Sequence, residues 1–112
     1  MTTKPTTPQV GTKAEFQYPI RDTSIVGDIR VAILDVPSDQ VMTENVFGID
    51  AKERVIWQIE RIAETASDPN NTYLGFVTTE ENDPAVSIAN WNGEVVVVNP
   101  QTGRVIKREW RK

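Results

Sequence analysis

The chain has no cysteine and no histidine among its 112 residues. Without cysteine, disulfides, thiolate nucleophiles, zinc–cysteine sites and iron–sulfur clusters are excluded. Without histidine, the chain lacks the commonest general base, the commonest transition-metal ligand and a side chain that titrates near neutral pH. Because few enzymes work without both residue types, we expect a protein that is not an enzyme and has no catalytic residues, no cofactor and no metal site.

Long apolar runs are also missing. No segment approaches the twenty or so apolar residues that a helix needs to span roughly 30 Å of hydrocarbon. The first residues, "MTTKPTTPQVGTK", lack the apolar core of a secretory signal. The net charge of −4 argues against non-specific binding to nucleic acid. We therefore expect a cytoplasmic protein with neither a membrane nor a nucleic acid as its partner.

The length and composition are those of one globular domain. A chain of 112 residues, 38% apolar and 25% charged, is long enough to bury a hydrophobic core without covalent cross-links. Residues 1–12 are rich in Thr, Pro and Gln and offer almost nothing to bury, which predicts a disordered leader. Residues 13–112 are predicted to form a single globular domain.

Two stretches of the first half favour β-strands. In "AEFQYPI", Phe16, Tyr18 and Ile20 stand at alternate positions, the period of a strand with one buried face. The run from Arg30 to Val36, "RVAILDV", is almost continuously apolar and is followed by proline. It is typical of a central strand that is buried on both faces.

The stretch "DAKERVIWQIE", from Asp50 to Glu60, fits two structures. As a helix, Asp50 would be the N-cap and Glu53 would complete a capping box, with an apolar stripe following at helical spacing. As a strand, Val55, Trp57 and Ile59 alternate with the residues between them. Taken alone, the pattern slightly favours a helix at about 51–66, which would give an α+β fold.

An internal similarity favours the strand instead. "NVFGIDAKE-RVIWQIE" (Asn45 to Glu60) aligns with "EVVVVNPQTGRVIKREW" (Glu94 to Trp110) when one single-residue gap is allowed. The alignment matches Asp50 with Asn99. The second copy reads as a hairpin, because consecutive valines resist helix and "NPQTG" has the chemistry of a turn. If the copies are related, "DAKE" is also a turn and "RVIWQIE" is a strand.

The rest of the chain reads as an antiparallel meander. "TYLGFVTT" and "AVSIANW" are predicted strands, and Asn92-Gly93 is a hairpin signal that leads into the valine run. We therefore predict an all-β fold with about eight antiparallel strands. They form two four-stranded, blade-like meander halves, about 14–60 and 72–110, packed as a small sandwich or barrel.

These hairpins resemble known proteins in two respects. "NVFGIDAKERVIWQ" and "GEVVVVNPQTGRVI" resemble blades of quinoprotein-type β-propellers, and "ANWNGEVVVVNPQTGRVIKREW" resembles the C-terminus of a family of small, uncharacterised bacterial all-β proteins. The resemblance covers the chain from about Phe16 onward. It departs from the blade pattern at Arg54, where a turn glycine is usual, and the chain is too short for a ring of about four or more blades. The resemblance therefore implies a fold and carries no activity.

The best candidates for a partner-binding surface lie near the end of the chain. Trp57 is expected in the core, whereas Trp91, next to the Asn-Gly turn, and Trp110 are the tryptophans expected to be exposed. Residues 62–103 have six acidic and no basic residues, and the last nine residues carry five cations against one acid. We favour a basic strand lying beside acidic loops, and we add Arg108 and Arg111 to the candidate surface.

The function predicted from these features is that of a small non-enzymatic protein-interaction or accessory module, which binds an unidentified protein or forms a homodimer through a strand edge. The alternative is a carbohydrate-binding domain or a carboxylate-based hydrolase. A hydrolase of that kind needs two carboxylates about 5–10 Å apart, and the sequence singles out no such pair.

Overall fold

The structure, a computed structural model, describes residues 9–37, 39, 42, 44–60, 72–77, 85–90 and 93–110. Within these residues lie eight strands and no helix: β1 (Ile20–Val26), β2 (Ile29–Leu34), β3 (Val46–Ile49), β4 (Val55–Gln58), β5 (Tyr73–Val77), β6 (Val86–Asn90), β7 (Glu94–Val98) and β8 (Val105–Trp110). Accordingly, the described residues include no helix long and apolar enough to cross a membrane.

The eight strands form two antiparallel sheets of four. Sheet 1 has the order β1-β2-β3-β4 and sheet 2 has the order β5-β6-β7-β8, so within the described part each strand pairs only with its neighbours in sequence. This arrangement confirms the predicted all-β, sandwich-like fold with two meander halves. It also excludes the helical alternative over residues 51–60, which form a turn and a strand; residues 61–66 lie outside the described ones.

The first strand is not where the alternation of apolar residues predicted it. β1 begins at Ile20 and runs through "IRDTSIV", which is mostly exposed because it lies at the edge of sheet 1. It turns into β2 through Gly27 and Asp28, with Gly27 at φ +60°, a conformation that glycine adopts without strain. Phe16 and Tyr18 lie before the strand and pack against sheet 1 as a separate segment.

The strand predicted to be buried on both faces is confirmed. β2 is buried over nearly its whole length. Val31 and Ile33 face the core between the sheets, and Leu34 belongs to a second cluster on the outer face of sheet 1. Such two-sided burial explains why this strand reads as a continuous apolar run instead of an alternating one.

The two aligned turns have matching hydrogen bonds. In the β3–β4 turn, Asp50 Oδ1 accepts the backbone N–H groups of Lys52 and Arg54, both at 2.9 Å. In the β7–β8 turn, Asn99 Oδ1 accepts the N–H of Gln101 at 2.8 Å. A short polar side chain at this position satisfies backbone donors within its own turn.

A residue with positive φ closes each of these turns. Gly103 has φ +76°, and Glu53 has φ +61° in the first copy. Glutamate is unusual in this left-handed region because its Cβ crowds the backbone. The turn glycine was expected at Arg54, but the residue with the glycine-like conformation is Glu53, one position earlier.

The repeat extends to a β-bulge in each second strand. The pairing of β3 with β4 shifts by one residue at Ile56, and the pairing of β7 with β8 shifts by one residue at Ile106. Ile56 packs against the core, whereas Ile106 is 60% exposed. The two copies thus share a turn and a bulge, and they differ in the burial of the bulge residue.

Trp57 connects the two sheets, and its prediction as a core residue is confirmed. Its side chain is buried in the cluster between the sheets. The indole packs against the bare backbone of Gly48, its cross-strand partner, and against Gly103 in the β7–β8 turn. Its Nε1 donates a hydrogen bond to the Pro100 carbonyl at 2.7 Å.

Glu60 adds to the same junction between the sheets. Its backbone N–H donates to the Gly103 carbonyl at 3.4 Å, and its carboxylate accepts the N–H of Val105. The end of the first half is therefore bonded to the last hairpin of the second half. Because of these bonds, the position of β8 depends on sheet 1 as well as on its own sheet.

We expect the Gly48→Ala substitution to lower the free energy of unfolding by about 1–3 kcal/mol, because a methyl group there overlaps the indole of Trp57. Urea unfolding followed by tryptophan fluorescence measures the change.

Gly75→Ala is the matched control, since a methyl group at that β5 position has open space. It should change the free energy of unfolding by less than about 1 kcal/mol. Equal stabilities of the two variants would contradict the tight packing of Trp57 on Gly48.

Candidate interaction surface

The four residues predicted to form a partner-binding surface are described to different extents. Arg108 lies on β8 and is described in full. Trp110 ends β8, where its backbone lies opposite Glu94, and its side chain is outside the described part. Trp91 and Arg111 also lie outside the described residues. Arg108 and its neighbours are therefore the part of this surface whose side-chain contacts can be given.

Arg108 is held by a fully buried carboxylate. It lies opposite Val96 on the strand ladder and so shares the face of sheet 2 that points to the core. Its Nε and Nη2 donate to the two carboxylate oxygens of Glu94 at 2.6 and 3.2 Å. The Glu94 side chain is 1% exposed, but that of Arg108 is 32% exposed. The ion pair thus joins a buried anion to a cation that reaches the surface.

Asn90 completes the environment of Glu94. Its Nδ2 donates to Glu94 Oε1 at 3.2 Å, and its Oδ1 accepts the backbone N–H of Glu94 at 2.9 Å. Gly93, between them in the β6–β7 connection, has φ +93°. The hairpin signal that was recognised in the sequence therefore also brings Asn90 and Glu94 together. Glu94 is not predicted as a site residue from the sequence, because a charged residue at the start of a valine run resembles an exposed strand end.

Burial and the ion pair shift two pKa values in this cluster. Burial of the Tyr73 phenol raises its pKa well above the ordinary value near 10, and the negative charge of Glu94 raises it further. The hydrogen bond to Glu94 raises the pKa of Arg108, so its guanidinium stays charged. The cluster thus combines a neutral phenol, a paired carboxylate and a permanent cation.

Asn45 ties this end of sheet 2 to sheet 1. Its Nδ2 donates to the carbonyls of both Leu34 and Tyr73 at 2.9 Å, and its Oδ1 accepts the N–H of Tyr73 at 3.0 Å. All three bonds are buried, so each satisfies a backbone group that would otherwise be costly to desolvate. Asn45 aligns with Glu94 in the internal repeat, and both halves therefore place a buried polar side chain just before or at the start of their third strand.

The arrangement favours recognition over acid–base chemistry. A planar guanidinium that is fixed in orientation and reaches solvent suits the planar oxygens of a carboxylate or a phosphate. Glu94 is enclosed by Arg108 and Asn90, so it is poorly placed to exchange protons with a substrate. Within the residues that the structure describes, no three acidic side chains converge as metal ligands.

The prediction of a basic strand beside acidic loops stays a prediction, because the one described acidic residue of residues 62–103 belongs to a strand. Arg108 of β8 pairs with Glu94, one of the six acidic residues between positions 62 and 103. The other five lie outside the described residues: Glu64, Asp68, Glu80, Glu81 and Asp83. Lys107 has its ion pair within β8 itself, with Glu109 at 2.6 Å.

Comparison with known proteins identifies a family but no activity. A family described as a domain of unknown function, DUF7957, matches residues 5–110. The chain belongs to this family. No curated protein matches the chain, and no solved structure matches it. The DUF7957 assignment agrees with the expected resemblance to an uncharacterised family, and nothing in these comparisons relates the domain to quinoproteins or β-propellers.

We expect Glu94→Gln to lower the free energy of unfolding of the DUF7957 domain by about 1.5–3 kcal/mol, because a neutral amide replaces the buried carboxylate that accepts two charge-assisted hydrogen bonds from Arg108. Urea unfolding at neutral pH gives the value.

Glu53→Gln serves as the control for Glu94→Gln. It breaks the Arg30–Glu53 ion pair, whose two side chains are 36% and 58% exposed, so the expected loss is below about 1 kcal/mol. If the two variants lost the same stability, the Glu94–Arg108 pair would not be an important buried interaction.

The raised pKa of Tyr73 predicts a loss of stability at high pH. The unfolded chain releases this proton from about pH 10, whereas the folded domain keeps it, so the free energy of unfolding falls by up to about 1.4 kcal/mol for each pH unit above 10. Below pH 10 Tyr73 is neutral in both states, and its contribution does not change with pH. Urea titrations between about pH 9 and pH 11 should show a shallower decline for Tyr73→Phe, and identical slopes would contradict the shift.

Proposed function

We propose that the domain is a non-enzymatic protein-interaction module that binds an acidic segment of a partner protein through Arg108. The observation that supports the proposal is the ion pair in which a fully buried Glu94 holds a guanidinium that is still 32% exposed. Most of the desolvation cost falls on the carboxylate, and the guanidinium is kept in one orientation. An arginine held in this way is pre-oriented for an anionic partner.

The energetics of the ion pair support a role in recognition. Burying a charged pair contributes little net stability, since the desolvation cost offsets most of the Coulombic gain. A pre-oriented side chain, by contrast, loses less conformational freedom when a partner binds. The two hydrogen bonds from Nε and Nη2 of Arg108 to Glu94, a geometry that lysine cannot reproduce, hold the guanidinium in one plane.

The neighbouring sequence supports the same surface. The backbone of Trp110 lies opposite Glu94, and Trp91 directly follows Asn90, whose side chain bonds Glu94. Arg111 follows Trp110 in the chain. Tryptophan and arginine are the residue types that most often dominate binding energy at protein interfaces. We therefore keep Trp91, Trp110 and Arg111, with Arg108, in the proposed surface.

The other predictions about function keep their status. A carbohydrate-binding or carboxylate-based hydrolytic role is the weaker proposal, because Glu94 is already engaged by Arg108 and Asn90. The resemblance to quinoprotein-type blades carries no activity into the proposal. A cytoplasmic location, a bacterial origin and the absence of a nucleic-acid or membrane partner stay predictions.

Affinity capture from native lysate tests the proposal when wild-type domain is compared with Arg108→Gln. The variant should retain at least about tenfold less of the specific partner, the equivalent of about 1.4 kcal/mol, because it loses the positive charge and the oriented guanidinium. Partner amounts are measured by quantitative mass spectrometry.

Lys107→Gln is the matched control. It removes the same charge from the adjacent residue of β8, whose side chain pairs with Glu109 and is 62% exposed. It should change capture by less than about twofold, as expected for an exposed pair. Circular dichroism must show both variants folded. Equal capture by folded Arg108→Gln and Lys107→Gln domains would overturn the proposal.

A further inference from the structure

The segment before β1 pairs with sheet 1 through an isolated β-bridge. We call residues 11–18 the strap. Gly11 N–H donates to the Val55 carbonyl at 2.7 Å, and Val55 N–H donates to the Thr12 carbonyl at 2.8 Å. A third bond joins Ala14 N–H to the Glu53 carbonyl at 2.8 Å. The strap thus pairs with the outer edge of β4, where Lys13 lies opposite Arg54.

The strap also covers the outer face of sheet 1 with alternate side chains. Ala14, Phe16 and Tyr18 pack on a buried cluster, which consists of Leu34, Phe47 and Val55. The ring centroids of Phe16 and Phe47 are 4.8 Å apart at an interplanar angle of 47°. The residues between them are exposed, and Lys13 pairs with Glu15 at 3.6 Å. The alternation that predicted a strand at Phe16 and Tyr18 therefore belongs to this docked segment.

These contacts define an acceptor groove for an extended peptide, which we call the strap groove. The edge of β4 supplies backbone hydrogen bonds, and the adjoining sheet face supplies apolar contacts for every second side chain. Peptide recognition by strand addition uses the same two elements, with the backbone bonds giving affinity and the alternate contacts giving specificity. In this structure the groove is occupied by the chain's own strap.

We propose that the strap groove also accepts the strap of a second copy, so that two domains exchange residues 11–18. The proposal rests on the contacts that the strap makes within its own domain, since the same segment of another copy has the groups for the same three backbone bonds and the same aromatic contact. Exchange of identical elements is a route to dimers that requires little new interaction energy. This dimer is independent of the Arg108 surface, which belongs to sheet 2.

The connection between the strap and the sheet suits such an exchange. Only Pro19 lies between the strap and the start of β1 at Ile20, and the Pro19 carbonyl accepts the N–H of Asp35 at 2.8 Å. Phe16 and Tyr18 are only partly buried in the groove. The change needed to redirect the strap is therefore confined to the residues next to Pro19, and sheet 1 keeps its register.

Two single-cysteine variants test strap exchange, because the chain has no cysteine of its own. Lys13 and Arg54 are directly opposite and both exposed, and the bonds on either side mark them as a non-hydrogen-bonded pair. The Cα atoms of such a pair lie about 4.5 Å apart, within the range that a disulfide spans. Lys13→Cys and Arg54→Cys domains with different tags are refolded together at high concentration and oxidised mildly.

The mixed disulfide dimer should exceed each same-variant dimer by at least about tenfold, because a strap seated in the partner's groove holds the two thiols at a millimolar effective concentration. The Lys13→Cys/Arg54→Cys double variant should form intramolecular disulfides when refolded dilute and linked dimers when refolded concentrated. No excess of mixed dimer over random pairing, together with a strictly monomeric wild-type domain in sedimentation, would overturn the proposal.

Discussion

The packing of Trp57 on bare backbone determines how the two sheets lie together. A side chain of this size fits there because Gly48 and Gly103 have no side chains, and its Nε1 finds an acceptor at Pro100 in the opposite sheet. An unpaired indole N–H would be costly to bury, so the hydrogen bond fixes the depth of the ring as well as its position. Because Gly103 and Pro100 belong to the β7–β8 turn, the placement of β8 follows from the placement of this ring.

The strands that could be predicted from the sequence are those whose local chemistry is unambiguous. Four consecutive valines, the turn of Asn99 to Gly103 and the comparison with Asp50 led correctly to two hairpins instead of a helix. The apolar pattern does not predict β1, because most of its residues are polar or exposed, as an edge strand permits. The alternation of Phe16, Tyr18 and Ile20 correctly predicted that Phe16 and Tyr18 pack against the sheet. These two residues, however, belong to the strap and not to a strand.

The candidate surface could be predicted only in part from the sequence. Arg108 was selected from the composition of the last residues, but its partner was not, because burial of a charge depends on contacts between distant positions. Asn45 is a similar case. Its three bonds to Leu34 and Tyr73 join residues that lie 11 and 28 positions apart. No local pattern distinguishes such a buried amide from an ordinary loop residue.

The pairing of each strand only with its sequence neighbours has a consequence for how the molecule assembles. The connections between paired strands of each sheet are therefore local, whereas the strap joins residues 11–14 to residues 53–55. The hydrogen bond from Trp57 to the Pro100 carbonyl instead joins positions 43 residues apart, and it connects sheet 1 with sheet 2. This bond therefore closes a larger loop of chain than the pairing of any two neighbouring strands does, and it ties the two sheets into one unit.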